Sequence, residues 1–515
     1  MKHSFFLVIP KQQPNSQRLK EFEAKILEQW ITELPTANPL LATRLFYDYM
    51  NDFNAIKMPA QLRLDALELL RPSFLVIEEF LRARLLRSGF PKEESDKKTL
   101  ALLTSLEKQF TLSYWITLKE LTGHEISWFQ GKNAALSCQR CIKGLSGIVT
   151  SYFMMGMPVP DWIWMDLHSL YKLSVKIKKN ITQVAVNDSN RSNKTSSPEE
   201  CYLQIILLSL ADSAGLMQKE IRLVYDFIET VRSLVSLKKE AVFGQAVQCL
   251  IFTDEDKPPH FQLEAEVDTD SAKLYLDFTR LYQAIEQKKN RVSEAEARFS
   301  TMHASQNPAE KLSLELLDYL KQRWSGIPLQ SAPLFSDRLD RYLAIGLTST
   351  YKLQKAIATS LEDHPEFLVQ SVSSRLLSCV FKKPGILSVG SLVSFRRIDM
   401  PEHKRFLGIV DMLVVEKEEG RITFGVQLLT HQAVAVTYLP LNATTKDLPK
   451  QALFYKTIEQ DGDSYIITDT FILKEDDVVR LFINQEDFPI VLKNKKNIGL
   501  GYWQFECMKV AEKRK

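Results

Sequence analysis

The fold class follows from residues 406–439, FLGIVDMLVVEKEEGRITFGVQLLTHQAVAVTYL. It contains three apolar, β-branched runs separated by turn residues such as Gly420, and one similar run precedes it. The four runs occupy residues 392–395, 406–415, 422–429 and 433–439. Short strands at this close spacing are typical of a small antiparallel barrel or sandwich. We therefore predict mostly antiparallel strand over residues 365–490.

On the C-terminal side of this stretch, further β-like runs follow at residues 465–468, 478–483 and 488–492. On the N-terminal side, residues 15 to about 240 carry apolar side chains at helical spacing. The clearest helical face is formed by Ile221, Val224, Tyr225, Ile228 and Val231, which recur at i, i+3, i+4, i+7 and i+10.

Between the helical and β-rich parts, the sequence predicts a strand at residues 247–252 and helix again from about 272 to 324. The predicted fold class is therefore multidomain α + β: a helical N-terminal half, an antiparallel β-barrel and a small β-rich C-terminal segment. We expect four domains. They are a helical domain at 1–240, a mixed strand and helix connection at 241–330, a barrel at 331–445 and a β-rich extension at 446–515.

Composition limits the class of protein. The chain has 515 residues, of which 45% are hydrophobic and 25% charged, with a net charge of +3. This balance gives no overall attraction to nucleic acid or to an anionic membrane. No window supplies the roughly 18 uninterrupted apolar residues of a membrane span. Six scattered cysteines do not form a disulfide framework. We expect a cytoplasmic protein without a membrane span.

The C-terminal tail is locally basic, and the aromatic residues Tyr502, Trp503 and Phe505 are interleaved with its lysines. Such a mixture can hold single-stranded nucleic acid by stacking and phosphate contacts. The alternative is a solvated terminus beside an aromatic-rich last strand. We favour the second interpretation and do not expect nucleic acid as a partner.

The sequence contains no constellation that points to an enzyme. None of its eight histidines shares a helical face with another, and the common metalloprotease, Walker, serine-hydrolase and dinucleotide motifs are absent. Cys138 and Cys141 form one C-x-x-C in an apparent helix, without the βαβ context of a redox motif. We predict no catalytic residues, no metal, no cofactor and no disulfide between these two cysteines.

Several blocks resemble large cytosolic bacterial proteins that have a helical N-terminal half and a PilZ-type barrel. The blocks are residues 34–39 with Arg44, 63–72, 158–171, 202–220, 390–396, 407–410 and 425–429. The resemblance runs over most of the chain. It implies a PilZ-like barrel at 331–445 that binds the second messenger cyclic di-GMP, with the helical half as an output module for an unidentified protein partner.

PilZ domains bind this ligand through R-x-x-x-R before the barrel and a (D/N)-x-S-x-x-G motif on an early strand. Guanidinium groups suit a two-fold anionic ring with two guanines, because arginine pairs with phosphate and with guanine O6 and N7. Here Arg338 and Arg341 form a shorter R-x-x-R. Ser371 replaces the acid or amide, Ser373 takes the serine position and Leu376 replaces the glycine.

Two hypotheses follow from the resemblance. In the first, the barrel binds cyclic di-GMP through Arg338, Arg341, Ser371 and Ser373 and signals to the helical half. In the second, a degenerate barrel serves as a nucleotide-independent scaffold for protein interaction. Other strands carry arginines that offer guanidinium groups, but such residues are more often solvated. They are Arg396, Arg397 and Arg405.

Overall fold

The structure is a computed structural model. It describes residues 5–123, 130–186, 194–263, 272–284, 287, 312–355, 366–416, 420–441, 448–457, 463–483 and 486–510. The chain divides into two compact units. The helical unit comprises Met1–Arg87, Glu94–Ser213 and Gln218–Pro328, and the barrel unit comprises Ser88–Glu93, Ala214–Met217 and Leu329–Lys515.

The helical unit is built mainly from long helices. Their bounds are α1 (Ser16–Leu19), α2 (Ala24–Glu33), α3 (Pro39–Ala55), α4 (Ala60–Leu85), α5 (Glu94–Thr122), α6 (Gly131–Met154), α7 (Ile163–Lys176), α8 (Pro198–Leu210), α9 (Gln218–Val231) and α10 (Leu314–Trp324). Local sequence fixes several starts. Ser197 and Glu200 form a reciprocal capping box at α8, and Asn38 caps α3 before Pro39. The helical N-terminal half is confirmed.

Small sheets complete the helical unit. β1 (Val184–Ala185) pairs with β2 (Thr195–Ser196). A four-stranded sheet has the order β3-β6-β4-β5. Its strands are β3 (Ser236–Lys238), β4 (Val247–Phe252), β5 (His260–Leu263) and β6 (Lys273–Asp277). β4 was predicted, but helix was expected where β6 lies. β6 forms because it pairs with β4 through Leu274 and Leu276, so a long-range partner decides its conformation.

The barrel unit begins with a closed, six-stranded antiparallel barrel. Its strands are β7 (Arg341–Ile345), β8 (Phe367–Ser371), β9 (Leu376–Val380), β10 (Leu392–Arg397), β11 (Phe406–Val415) and β12 (Arg421–Thr430). They close in the order β10-β11-β12-β9-β8-β7. Inward side chains such as Leu343, Val369, Leu377 and Phe395 form its core. The predicted antiparallel barrel is therefore confirmed.

The β-rich C-terminal segment is a second closed barrel of six antiparallel strands. They are β13 (Val434–Pro440), β14 (Lys450–Lys456), β15 (Ser464–Thr468), β16 (Val478–Ile483), β17 (Glu486–Asn497) and β18 (Trp503–Lys509). The order is β13-β14-β15-β18-β17-β16. The helix α11 (Leu347–Gln354) contributes Leu347 and Tyr351 to a core that also contains Leu392 and Leu453, one residue from each barrel.

Two connections between helices belong to the barrel unit. Residues Ser88–Glu93 join α4 to α5, and their Phe90 packs in the core of the first barrel and bridges to Leu387. Residues Ala214–Met217 precede α9. Within the described residues, no helix is both long and apolar enough to span a bilayer.

Candidate functional site

The predicted site residues fall at one end of the first barrel. β7 begins at Arg341, β8 ends at Ser371, and β10 ends at Arg397. The register places Arg341 directly opposite Arg397 on one side and Val369 on the other. Because strand side chains alternate, Arg341, Ser371 and Arg397 point to the same side as the core residues two positions away.

The turn between β8 and β9 supplies one more arginine to this end. Arg375 lies one residue before β9 and two residues before the core residue Leu377. Its side chain therefore points to the same side of the strand as Leu377, toward the barrel interior. We call the end formed by Arg341, Ser371, Arg375 and Arg397 the barrel mouth. These four residues lie at the ends of four different strands, so it is the fold that brings them together.

Arg341 is buried at the barrel mouth, with about 6% of its side chain exposed. Its guanidinium donates to the Leu339 carbonyl at 2.6 Å and to the Ser371 hydroxyl. It also pairs with Asp337 at 2.8 Å and lies over the ring of Phe335 at 4.4 Å from the ring centroid. The structure thus brings two predicted site residues, Arg341 and Ser371, into direct contact.

The segment that leads into the barrel, residues 331–340, crosses the mouth. The amides of Leu334 and Phe335 donate to the Ser374 carbonyl at 2.8 and 3.0 Å. Phe335 is buried against Phe395, with ring centroids 5.8 Å apart. The lead-in segment is therefore anchored to the turn that follows β8.

A glycine makes room for the start of this lead-in segment. Ser331 donates a hydrogen bond to Asp411 at 2.6 Å, and its carbonyl accepts from Arg375 at 2.5 Å. A Cβ atom at Gly425 would lie only 1.7 Å from the Ser331 hydroxyl oxygen. Any larger residue at position 425 would displace the segment from the mouth.

Asp337 is the carboxylate that contacts both the β7 arginine and the β10 arginine of the mouth. It lies 2.8 Å from Arg341 and 3.9 Å from Arg397. Desolvation raises the pKa of Asp337, but the Leu339 amide and the two guanidinium groups outweigh it and lower the pKa below its ordinary value. Asp337 is thus an ionised carboxylate between two arginines.

The other predicted residues occupy different positions. Arg338 is exposed on the lead-in segment. Ser373 accepts hydrogen bonds from the amides of Arg375 and Leu376, both at 3.1 Å, and so stabilises the turn before β9. The serine and glycine positions of the expected motif thus map to this turn and to the first residue of β9. Their role in binding stays a prediction.

Two of the alternative arginines are not solvated. Arg405 is fully buried and donates to the Ser394 hydroxyl at 2.9 Å and to Glu366. Arg396 makes two bonds to Glu366, at 3.1 and 2.8 Å, and lies over the ring of Tyr342. The expectation of solvated side chains was wrong for both residues. No local sequence pattern pointed to Glu366, because the pairing joins residues about thirty or more positions apart.

The helical unit contains a separate cavity of about 700 Å³ among α4, α5, α6, α8 and α9. Its wall is partly aromatic, with Phe74, Tyr114 and Tyr225. Its buried Arg82 pairs with Glu78 at 2.8 Å and with Glu107 at 2.6 Å. These charged groups are already paired with one another inside the fold.

Cys138 and Cys141 are buried free thiols in α6, and burial raises the pKa of both. Their sulfur atoms lie near the backbone carbonyls of Leu170 and Thr111. In the part of the chain that the structure describes, no three His, Cys, Asp or Glu side chains are grouped as metal ligands.

Comparison with known proteins shows a similarity in the helical part of the chain. Residues 25–241 match the family model described as the N-terminal domain of the cyclic-di-GMP receptor FimW. The chain is also 24% identical over 344 residues to the cyclic-di-GMP receptor FimW of Pseudomonas aeruginosa. That match covers 66% of this chain and 54% of the relative, so it spans about half of the relative's length. No solved structure matches the chain. Through its helical residues 25–241, the chain is thus similar to the N-terminal domain of the cyclic-di-GMP receptor FimW.

Proposed function

We propose that this protein is a cyclic di-GMP receptor that binds its ligand at the barrel mouth through a PilZ-like first barrel. The observation that carries the proposal is the convergence of Arg341, Ser371 and Arg397 at one end of that barrel. The relationship to a named cyclic-di-GMP receptor supports the same ligand.

The chemistry of the mouth suits this ligand. Cyclic di-GMP presents two phosphates and two guanines, and arginine pairs with both kinds of group. Arg338 is exposed on the lead-in segment, and Arg397 has 46% of its side chain exposed. These two guanidinium groups are within reach of a ligand, whereas Arg341 and Ser371 form the base of the site.

The proposed output is a change in how the helical unit binds a protein partner. The connection from α4 to α5 is part of the barrel unit, where Phe90 lies in the core of the first barrel. A rearrangement of that core therefore acts on a segment covalently joined to two long helices. The family is a receptor family rather than a named enzyme family, and we propose signalling without catalysis.

Isothermal titration of the full chain with cyclic di-GMP tests the proposal. We expect saturable binding to the wild type and none of comparable strength for GMP. Arg338→Ala should weaken binding about ten- to a hundredfold, because a charge-assisted bond contributes about 1.5–3 kcal/mol. Arg338 is exposed, so the variant should remain folded. Absence of binding by the wild type would contradict the proposal.

A second candidate function has its own support. Leu376 stands at the position of the motif glycine, and the guanidinium of Arg341 is already bonded to Leu339, Ser371 and Asp337. Both features favour a barrel that no longer binds nucleotide and acts as a protein-interaction scaffold. The same titration separates the two functions, because the scaffold predicts no heat of binding.

A further inference from the structure

We infer that the Asp337 carboxylate occupies the position of a ligand phosphate and that the ligand must displace it to bind. This inference rests on the proposed function, and it adds Asp337 to the site as a resident competitor of the ligand. In the ligand-free protein, Asp337 therefore fills the position that a phosphate takes in the complex.

The geometry marks an anion position between two strands. Arg341 and Arg397 are direct neighbours across β7 and β10. Two guanidinium groups held side by side repel each other unless an anion lies between them. Asp337 supplies that anion, with one carboxylate oxygen 2.8 Å from Arg341 and the other 3.9 Å from Arg397.

The remaining contacts show which groups are tied to the fold. Arg397 also makes a two-bond pair with Asp399, at 3.0 and 2.5 Å, and that pair is largely exposed. The other Asp337 contact is the Leu339 amide, which donates to the oxygen that binds Arg341. Arg341 is held from behind by Ser371 and the Leu339 carbonyl. Arg341 is thus kept in place by two other groups when the carboxylate leaves.

Asp337 is the part of this arrangement that can be exchanged. Its side chain is 27% exposed, and it belongs to the lead-in segment rather than to a strand. The carboxylate is the more exposed partner of the pair, and Arg341 keeps its bonds to Ser371 and the Leu339 carbonyl when the carboxylate leaves. A phosphodiester group carries the same charge as the carboxylate and also accepts charge-assisted hydrogen bonds from arginine.

The displacement has a consequence for affinity. Each binding event must break the Arg341–Asp337 pair before a phosphate can take its place, and that cost reduces the measured affinity. Removing the charge of Asp337 while keeping its shape removes the competitor. Asp337→Asn should therefore bind cyclic di-GMP about five- to tenfold more tightly than the wild type.

Asp340→Asn is the matched control. It removes the same unit of negative charge from the same segment, three residues away. We expect its affinity to change less than about twofold, because a charge that makes no direct contact is screened by salt. Equal tightening in both variants would attribute the effect to net charge and overturn the inference.

The test is calorimetric titration of cyclic di-GMP into the full-length wild type, Asp337→Asn, Asp340→Asn and Arg397→Ala. The inference predicts tighter binding by Asp337→Asn alone and about tenfold weaker binding by Arg397→Ala. Wild-type binding with unchanged affinity in Asp337→Asn overturns the inference and leaves the proposed function intact. No binding by any of the four proteins overturns both.

Discussion

Arg82 in the helical unit and Arg341 at the barrel mouth are both buried arginines paired with carboxylates, but different elements hold their partners. The partners of Arg82 are Glu78 on α4 and Glu107 on α5, which are fixed by helix packing. The partner of Arg341 is Asp337, on a partly exposed segment outside any strand. An arginine of the first kind stabilises the fold, whereas one of the second kind is available to a ligand.

Replacing Arg82 should cause the largest loss of stability. Arg82→Ala leaves the buried pair Glu78 and Glu107 without a counter-charge. Breaking a buried ion pair in this way typically costs about 3–5 kcal/mol of unfolding free energy. Urea unfolding followed by helical circular dichroism measures the loss. Arg397→Ala, at an exposed pair, should lower the unfolding free energy far less. Equal losses would break the comparison.

His168 extends the comparison to a buried group that titrates. Its Nε2 lies 2.9 Å from the Lys257 carbonyl, which only accepts hydrogen bonds, so Nε2 donates and Nδ1 accepts from Tyr202 at 2.7 Å. Burial lowers the pKa of His168 from 6.5 to about 4. The folded state therefore binds this proton less readily than the unfolded chain does.

The unfolding free energy should therefore decrease as the pH falls. The stabilisation is complete above pH 6.5 and is lost as the pH falls toward about 4, with a total of about 3 kcal/mol. Unfolding free energies at several pH values should show this slope in the wild type and not in His168→Gln. His403→Gln, an exposed position in the barrel unit, is the control. The same slope in His168→Gln as in the wild type would contradict the assignment.

The smallest expected effect distinguishes the two carboxylates around Arg82. Burial and the nearby Glu78 charge raise the pKa of Glu107, whereas Arg82 lowers the pKa of Glu78 despite burial. Of the two carboxyl groups, Glu107 therefore takes up a proton more readily, and Glu78 is the stronger counter-charge to Arg82. Glu107→Gln should change the unfolding free energy at neutral pH by less than about 1 kcal/mol, and Glu78→Gln by more. The reverse order in urea unfolding would refute this assignment.

Strands that consist of long apolar, β-branched runs could be predicted from the sequence, as in β11 and β12. β7 is short, and β6 lies in a segment with a helical pattern, so long-range pairing decides both. The predicted face of α9 was correct at Ile221, Val224 and Ile228, which are buried. It omitted Phe227, because core packing rotates the buried face beyond the simplest spacing.

Some residues of the candidate site could likewise be predicted from the sequence, and others could not. Resemblance to a family led to Arg341 and Ser371, and the structure brings them into contact across thirty residues of sequence. Whether they bind a ligand stays a prediction. The place of Asp337 between Arg341 and Arg397 depends on the register of β7 and β10, which a single sequence does not determine.

Binding of cyclic di-GMP at the barrel mouth can be tested directly. Calorimetric titration of the full chain should compare the wild type with an Arg338→Ala, Arg397→Ala double variant and with Arg421→Ala. Arg421 lies on the same barrel, paired with Val380 at the opposite end of β9. We expect the double variant to lose about a hundredfold or more in affinity and Arg421→Ala to bind like the wild type. Wild-type affinity in the double variant would contradict the claim.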